Sequence, residues 1–381
     1  MNNNSPSKKI WNKFKRNKLA FGGLIFILLL MLMGILGYLI TPDQTPYSNT
    51  MHLQLSNKKP FRTFDFMVIS RNANIKKNNF FEKMLFGQEA DFKSMPITGY
   101  RITGDKVYVR EYIGDDEKAE ETAYELKTLC ADCLSAKSEA TIKQVFEQQQ
   151  IYRQTFYLGT DIYGRDLLSR LILGIRVSLS VGLMAVLISL FIGISLGAIA
   201  GYFGGKTDAL ISWFMNVIWS LPSLLLVIAI SFALGKGFWQ IFIAVGLSTW
   251  VDVSRLVRGQ VMALKEVEFV EAAKALGFST KRTIIKHILP NIAGPILVVA
   301  SANFAAAILL ETGLSFLGFG AQPPMPSWGS MIKEHYAYII MDAAYLAVLP
   351  GLAIMLTVYA FNLLAIGLRD AFDVKGQNAS V

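Results

Sequence analysis

Cysteine is almost absent from this chain. Its 381 residues hold two, Cys130 and Cys133, which excludes the cysteine-dense secreted scaffolds that use disulfides in place of a large core. Histidine is scarce and scattered at His52, His287 and His335, so the roughly four ligands of a structural zinc site are not gathered anywhere. No His-Glu-x-x-His, nucleophile elbow or carboxylate dyad occurs, and no catalytic constellation is therefore expected. There is no internal repeat, so an inverted-repeat secondary transporter gains no support. Charge is missing from whole stretches: residues 19–40 carry none, and neither do 210–234 or 292–310.

What is present is apolar text. Hydrophobic residues make up 53% and mean hydropathy is +0.40, both high for a soluble domain. Several uncharged runs approach the roughly 20 residues that cross a bilayer as a helix. They lie at 19–40, 177–202, 210–234, 292–310 and 343–368. The 238–251 run is shorter, and counting it as a span closes an even topology of six. The first run exceeds the ~7–15 residues of a signal-peptide core and no small-x-small site follows it, so it anchors the chain. The expected fold is an all-α polytopic membrane protein with six spans and a small extracytoplasmic, α+β insert.

Net charge is +9, and its placement sets the orientation. Lys8, Lys9, Lys13, Lys15, Arg16 and Lys18 precede the first run without an acid. Basic flanks stay cytoplasmic, which predicts both termini inside and the 252–290 segment inside with them. The expected parts are a basic N-terminus with the first span (1–41), an outer insert (42–157), a core with five spans (158–373) and a tail (374–381). The insert balances sixteen basic against sixteen acidic residues. Its alternating text at 106–112 predicts a strand between turns at Gly104-Asp105 and Gly114-Asp115, and 117–129 reads as a helix. Cys130 and Cys133 would lie on the oxidising side, where a local disulfide is the preferred reading. Around 158–176 the text predicts a turn and then an amphipathic helix on the membrane surface, its arginines reaching toward headgroups.

The segment 252–290 is the most informative. Phe269, Ala272, Ala273 and Leu276 recur at helical spacing on one face, with Glu268 and Glu271 opposite. Gly277 suits a left-handed C-cap, Ser279 can cap a second helix, and Pro290 predicts a break before the fifth span. The reading is a short lever tied at both ends to membrane helices. Elsewhere, Gly193, Gly197 and Gly201 make a small-residue face for close helix packing, within the chain or against a second one. Asn216, Asn303 and Asn362 are polar groups in spans, which face the bundle or a translocation path. The string 200–207 fits a relaxed phosphate-loop pattern, but a membrane helix precedes it where a strand is required.

The string Glu271-Ala272-Ala273, Gly277, then His287-Ile288-Leu289-Pro290-Asn291 resembles the "EAA" loop of ABC importer permeases. Four further stretches are similar to the oligopeptide/dipeptide/nickel branch of that family. They are 158–179, Leu314-Ser315-Phe316-Leu317-Gly318, Pro326-Ser327-Trp328-Gly329 and Arg369-Asp370-Ala371-Phe372-Asp373, the last followed by Val374 where the branch has proline. The likeness covers about 157–373 and the first span, and best fits the C-type subunit. It implies a passive permease in a bacterial inner membrane, with Glu271, Ala272, Ala273, Gly277, His287, Leu289 and Pro290 facing an ATPase. It further implies a second, B-type permease chain, two ATPase subunits that hold ATP and magnesium, and an extracytoplasmic solute-binding protein. No cofactor is expected on this chain, nor nucleic acid as a partner. Microcin-type peptide importers, which also have an enlarged insert, and nickel or metallophore importers are the nearest alternatives. An ion-driven secondary transporter is the rival of another class.

Overall fold

The computed structural model describes residues 6–71, 75–115, 119–130, 133, 138–235 and 237–372. The tail expected at 374–381, Glu117 and Asp373 lie outside them. The chain divides into two compact units. One is helical and comprises Met1–Leu32, Ile175–Glu334 and Ala347–Val381. The other comprises Met33–Gly174 and His335–Leu346. This second unit, called the outer unit after its expected side, takes in more than 42–157, with the end of the first span, the text up to Gly174 and residues 335–346.

In the helical unit the long elements follow from the apolar runs. They are α2 (Lys18–Ile40), after a basic α1 (Pro6–Arg16), then α6 (Leu167–Phe203), α9 (Phe238–Leu264), α12 (Ala293–Leu317) and α14 (Tyr345–Phe372). Among the described residues, five helical runs are long and apolar enough to cross a membrane. The sixth expected span, 210–234, is a bent pair: α7 (Gly205–Trp219) and α8 (Ser223–Leu234) meet at 94°. Pro222 stands at the break and cannot donate the N–H that a continuous ladder needs there. The 238–251 run was short only because charge interrupts it, and α9 continues thirteen residues further.

Small residues decide how these helices meet. A Cβ on Gly193, Gly197 or Gly201 of α6 would lie 2.6 Å from Val253 Cβ, 2.5 Å from the Ser254 carbonyl and 2.6 Å from the Arg258 carbonyl. The stripe therefore packs on α9 of the same chain, with backbones close enough that side chains would not fit. Val253, Val257 and Val261 continue from this contact into a cluster with Val270, Ile288, Ile292 and Ile296. A second cluster joins Val181, Ala185, Val227, Ile241, Val245 and Leu314. At the far end of α12 the chain doubles back. A Cβ on Gly320 would meet Ser315 Oγ at 1.8 Å, and one on Gly329 the Thr312 Cα at 2.8 Å. Glu311 is fully buried there and accepts from Ser315 Oγ at 2.6 Å.

The outer unit is built on five antiparallel strands: β1 (Arg62–Ser70), β2 (Phe92–Thr103), β3 (Lys106–Glu111), β4 (Glu121–Glu125) and β5 (Ile151–Phe156), in the order β4-β3-β2-β1-β5. The strand expected at 106–112 is β3. The helix expected at 117–129 is corrected: 121–125 pairs with β3 as an edge strand, and only α4 (Leu126–Leu129) is helical. Edge pairing, with Tyr124 packed against the core beside Val107 and Val109, overrides helix propensity there. One face of the sheet carries Phe64, Phe66 and Phe156 under Leu55. The other carries Met67, Ile97, Val107 and Val109 under Phe146 of α5 (Glu139–Gln150) and the cysteine pair. Cys130 and Cys133 are bonded as a disulfide in that core.

The 158–166 text is a buried knot rather than the start of a surface helix. Gly159 and Gly164 have φ of +81° and +70°, and a Cβ on Gly164 would lie 1.8 Å from the His52 carbonyl. Asp161 is fully buried. Its carboxylate accepts from the Tyr163 N–H at 2.8 Å, from the Arg165 N–H at 2.9 Å and from Arg165 Nε at 2.5 Å. Arg170 Nε stands 3.7 Å from the same carboxylate. The arginines are held inward by this charge, so the expectation that they reach headgroups is overturned. Asp166 caps α6 by accepting from the Ser169 N–H at 2.8 Å.

Candidate functional site

The coupling candidate begins at α10 (Glu268–Ala275), one residue after the turn that ends α9. Val270 and Ala273, three apart, are buried, and Val270 belongs to the cluster with Val261 and Ile288. That corrects the predicted apolar face. Of Phe269, Ala272, Ala273 and Leu276, only Ala273 turns inward, because Val270 brings a larger side chain to the core position. Phe269 is 40% exposed and Leu276 is 74% exposed. With Ala272, Glu268 and Glu271 they form an open surface of apolar and acidic groups.

Gly277 ends the helix with φ +75°. The Phe278 N–H reaches back to the Ala273 carbonyl at 3.1 Å and the Gly277 N–H to Lys274 at 2.9 Å, as a left-handed residue after a helix C-terminus allows. Ser279 occupies the next N-cap position, but its hydroxyl makes no capping bond, contrary to expectation. α11 (Thr280–Thr283) then begins a helical run that continues to Leu317. The break expected at Pro290 does not occur. The ladder widens to a π turn over Ile284–Ile288 and tightens to a 3-10 turn over Leu289–Ile292, which absorbs the missing N–H without a change of run. The second arm of the lever is therefore the beginning of α12's own helix.

The remaining candidate residues fall as follows. Ile288 is buried, Leu289 and His287 are half-buried and Pro290 is exposed. The His287 ring stacks on Phe278 at 5.5 Å, and the Arg282 guanidinium lies 4.0 Å from the centroid of the same Phe278 ring. Asn291 Nδ2 donates to the His287 carbonyl at 2.6 Å. These contacts brace the corner between the two arms.

Of the three span asparagines, Asn303 is buried and donates to Ser189 Oγ at 3.4 Å and the Thr249 carbonyl at 3.2 Å. That is a packing contact among α6, α9 and α12. Asn362 is exposed and bonds its own helix at Val358. Asn216 belongs to a polar cluster that sequence reading missed. Arg255 Nη2 donates to Asn216 Oδ1 at 2.8 Å and its guanidinium lies 4.2 Å over the Trp219 ring. Asp252, one turn away, lines with Trp219, Leu221, Ser223 and Ser248 a cavity of about 250 Å³ at the α7–α8 bend. The signal was available: Asp252, Arg255 and Arg258 are three apart, on one face of a helix that goes on past residue 251. Arg258 in turn pairs with Asp208 at 2.6 Å.

The phosphate-loop lookalike is a helix connection. Gly204 and Gly205 have φ of +64° and +53° between α6 and α7, with no strand before them.

Residues 193–375 match the family described as the binding-protein-dependent transport system inner membrane component. Residues 5–60 match the N-terminal transmembrane domain of oligopeptide transport permease C. The chain is 43% identical over 219 residues to the oligopeptide transport system permease protein OppC of Haemophilus influenzae, covering 58% of this chain and 70% of that protein. It is 45% identical to the dipeptide transport system permease protein DppC of Alkalihalophilus pseudofirmus and 41% to the glutathione transport system permease protein GsiD of Pectobacterium atrosepticum. Both alignments cover 58% of this chain and 72% of the relative. A solved inward-facing MetNI methionine ABC transporter shares 15% identity at a TM-score of 0.43, over 53% of this chain and 97% of that one. With the apolar helices, the α10–Gly277 corner and these relatives together, the chain belongs to the inner-membrane permease family of binding-protein-dependent transport systems, in its oligopeptide-permease C branch.

Proposed function

We propose that this chain is one of two permease subunits in an ATP-driven importer of peptides or a related solute. Its partners are a B-type permease chain, two ATPase subunits and an extracytoplasmic binding protein. ATP and magnesium sit on the ATPase subunits and this chain catalyses no reaction. Both termini and the 252–290 segment face the cytoplasm.

The observation that carries the reading is the open face of α10. On this loop, read as cytoplasmic, Phe269 and Leu276 are exposed in the same short segment as the exposed Glu268 and Glu271. Exposed apolar groups rimmed by charge suit a protein partner. Val270 and Ile288, in one cluster with Val253, Val257 and Val261, fix the same element to the spans. Force applied to Phe269, Ala272 and Leu276 is transmitted through the Gly277 corner into the run from Thr280 to Leu317. The Asp252–Arg255–Asn216 cluster supports a translocation path along the α7–α8 bend, since charged groups in spans face a bundle interior or a cavity.

Reconstitution tests this. The two permease chains alone in vesicles accumulate no solute, and adding the ATPase pair with binding protein and ATP starts uptake. Uphill accumulation without the ATPase pair, driven by an ion gradient, would overturn the reading in favour of a secondary transporter.

A further inference from the structure

One apolar patch of the outer unit takes no part in this function. The short helix α3 (Phe80–Phe86) is firmly specified: Asn79 caps it in a reciprocal box with Glu82. Yet it buries none of its residues. Phe80, Phe81 and Phe86 are 63%, 68% and 66% exposed, and the first two touch each other edge to face at 5.7 Å. Three exposed rings on one seven-residue helix are costly in water.

The position of α3 identifies what covers them. Gly87 follows Phe86 directly with φ +79°, and a Cβ there would lie 2.7 Å from the Gln44 carbonyl and 3.0 Å from the Tyr38 ring. The Gln88 N–H donates to the Gln44 carbonyl at 2.9 Å. Tyr38 is two residues from the end of α2 and accepts from the Tyr47 N–H at 2.9 Å. The 23 residues of α2, at ~1.5 Å each, span slightly more than a ~30 Å hydrocarbon core. Tyr38 therefore stands at the outer boundary, the level at which aromatic rings collect in membrane proteins. Ile40, two residues on in the same helix, is 46% exposed. Gly87 thus ties the end of α3 to this end of the first span.

We infer that α3 is an interfacial anchor: Phe80, Phe81 and Phe86 immerse in the outer leaflet beside the first span and hold the outer unit on the bilayer. The occupant is lipid, and the inference does not depend on the solute.

The test uses the intact importer in phosphatidylcholine vesicles with one nitroxide at F81C and, separately, at F86C. The native cysteine pair is bonded and does not take the label. Collision with oxygen is compared with collision with a water-soluble nickel chelate. At both positions oxygen should exceed the chelate several-fold, while a label at K106C on β3 shows the reverse order. Chelate equal to or above oxygen at either position means an aqueous surface. Exclusion of both reagents means a protein cover such as the binding protein, the sister permease or a second copy. Either result overturns the anchor.

Discussion

Gly277 is the residue on which the corner after α10, the proposed coupling element, turns. At φ +75° a β-branched side chain is strained by roughly 1–3 kcal/mol, although nothing surrounds the site within 4 Å. Gly277→Val should therefore leave a folded importer with the arms re-aimed. Uptake per ATP hydrolysed is expected to fall at least about tenfold while the ATPase subunits still copurify. Normal uptake with normal ATPase stimulation would remove the coupling role.

Two buried groups of the outer unit give a pH prediction of the same scale. Burial holds the His52 imidazole down at about 4, against an upward pull from Asp43. Burial lifts the Asp166 carboxyl to about 6. For His52 the folded value is below the unfolded ~6.5, so its stabilisation is full above that pH and is lost as pH falls toward 4, by ~3 kcal/mol. For Asp166 the folded value is above the unfolded ~3.9, so its stabilisation is present in acid and is lost as pH rises through 6, by a similar amount. The two slopes oppose each other between about pH 4 and 6. Hydrogen exchange of β1 and β2 amides in the intact chain should be nearly flat across that window. His52→Gln should gain protection on acidification, and Asp166→Asn should lose it.

At the scale of elements, α6 and α9 share a contact that tolerates no side chain. A Cβ at position 197 would stand 2.5 Å from the Ser254 carbonyl, which belongs to backbone and cannot swing aside. Gly197→Leu is expected to cost on the order of 1–3 kcal/mol or more, seen as a lower melting temperature in detergent. The element α10 makes the complementary prediction, because its outward residues carry no packing duty. Leu276→Asp should leave that melting temperature unchanged and abolish copurification of the ATPase subunits. A lowered melting temperature with intact copurification would assign Leu276 to the core instead.

At the scale of the whole molecule, charge placement predicts topology. In sealed right-side-out vesicles an impermeant maleimide should label Lys106→Cys, on the outer sheet, and spare Lys9→Cys until the membrane is opened. The same scale shows why legibility was uneven. The spans and the EAA-like corner were readable because hydropathy and a left-handed glycine are local properties of a few consecutive residues. Proline is a local signal for the break at Pro222, but the unbroken passage through Pro290 was not legible, because a π turn restores the ladder there. Propensity assigns both the same value. The 121–125 text reads as helix in isolation, and its pairing with β3 made it a strand.

The sequence by itself determined that this chain carries apolar runs for about six membrane spans, and where a left-handed glycine corner interrupts the apolar text. Those properties follow from the transfer free energy of runs of side chains and from backbone angles that few residues accept. Tertiary structure alone decided which faces meet. It turned Val270 inward and Leu276 outward, buried Arg165 and Arg170 around Asp161, and assigned the glycine stripe to α9. It also placed Asn303 in packing, Asn216 in a charged cluster, and Gly87, at the end of α3, against Tyr38 of the first span. Each depends on partners far away in the chain, whose distances and shapes no local pattern contains.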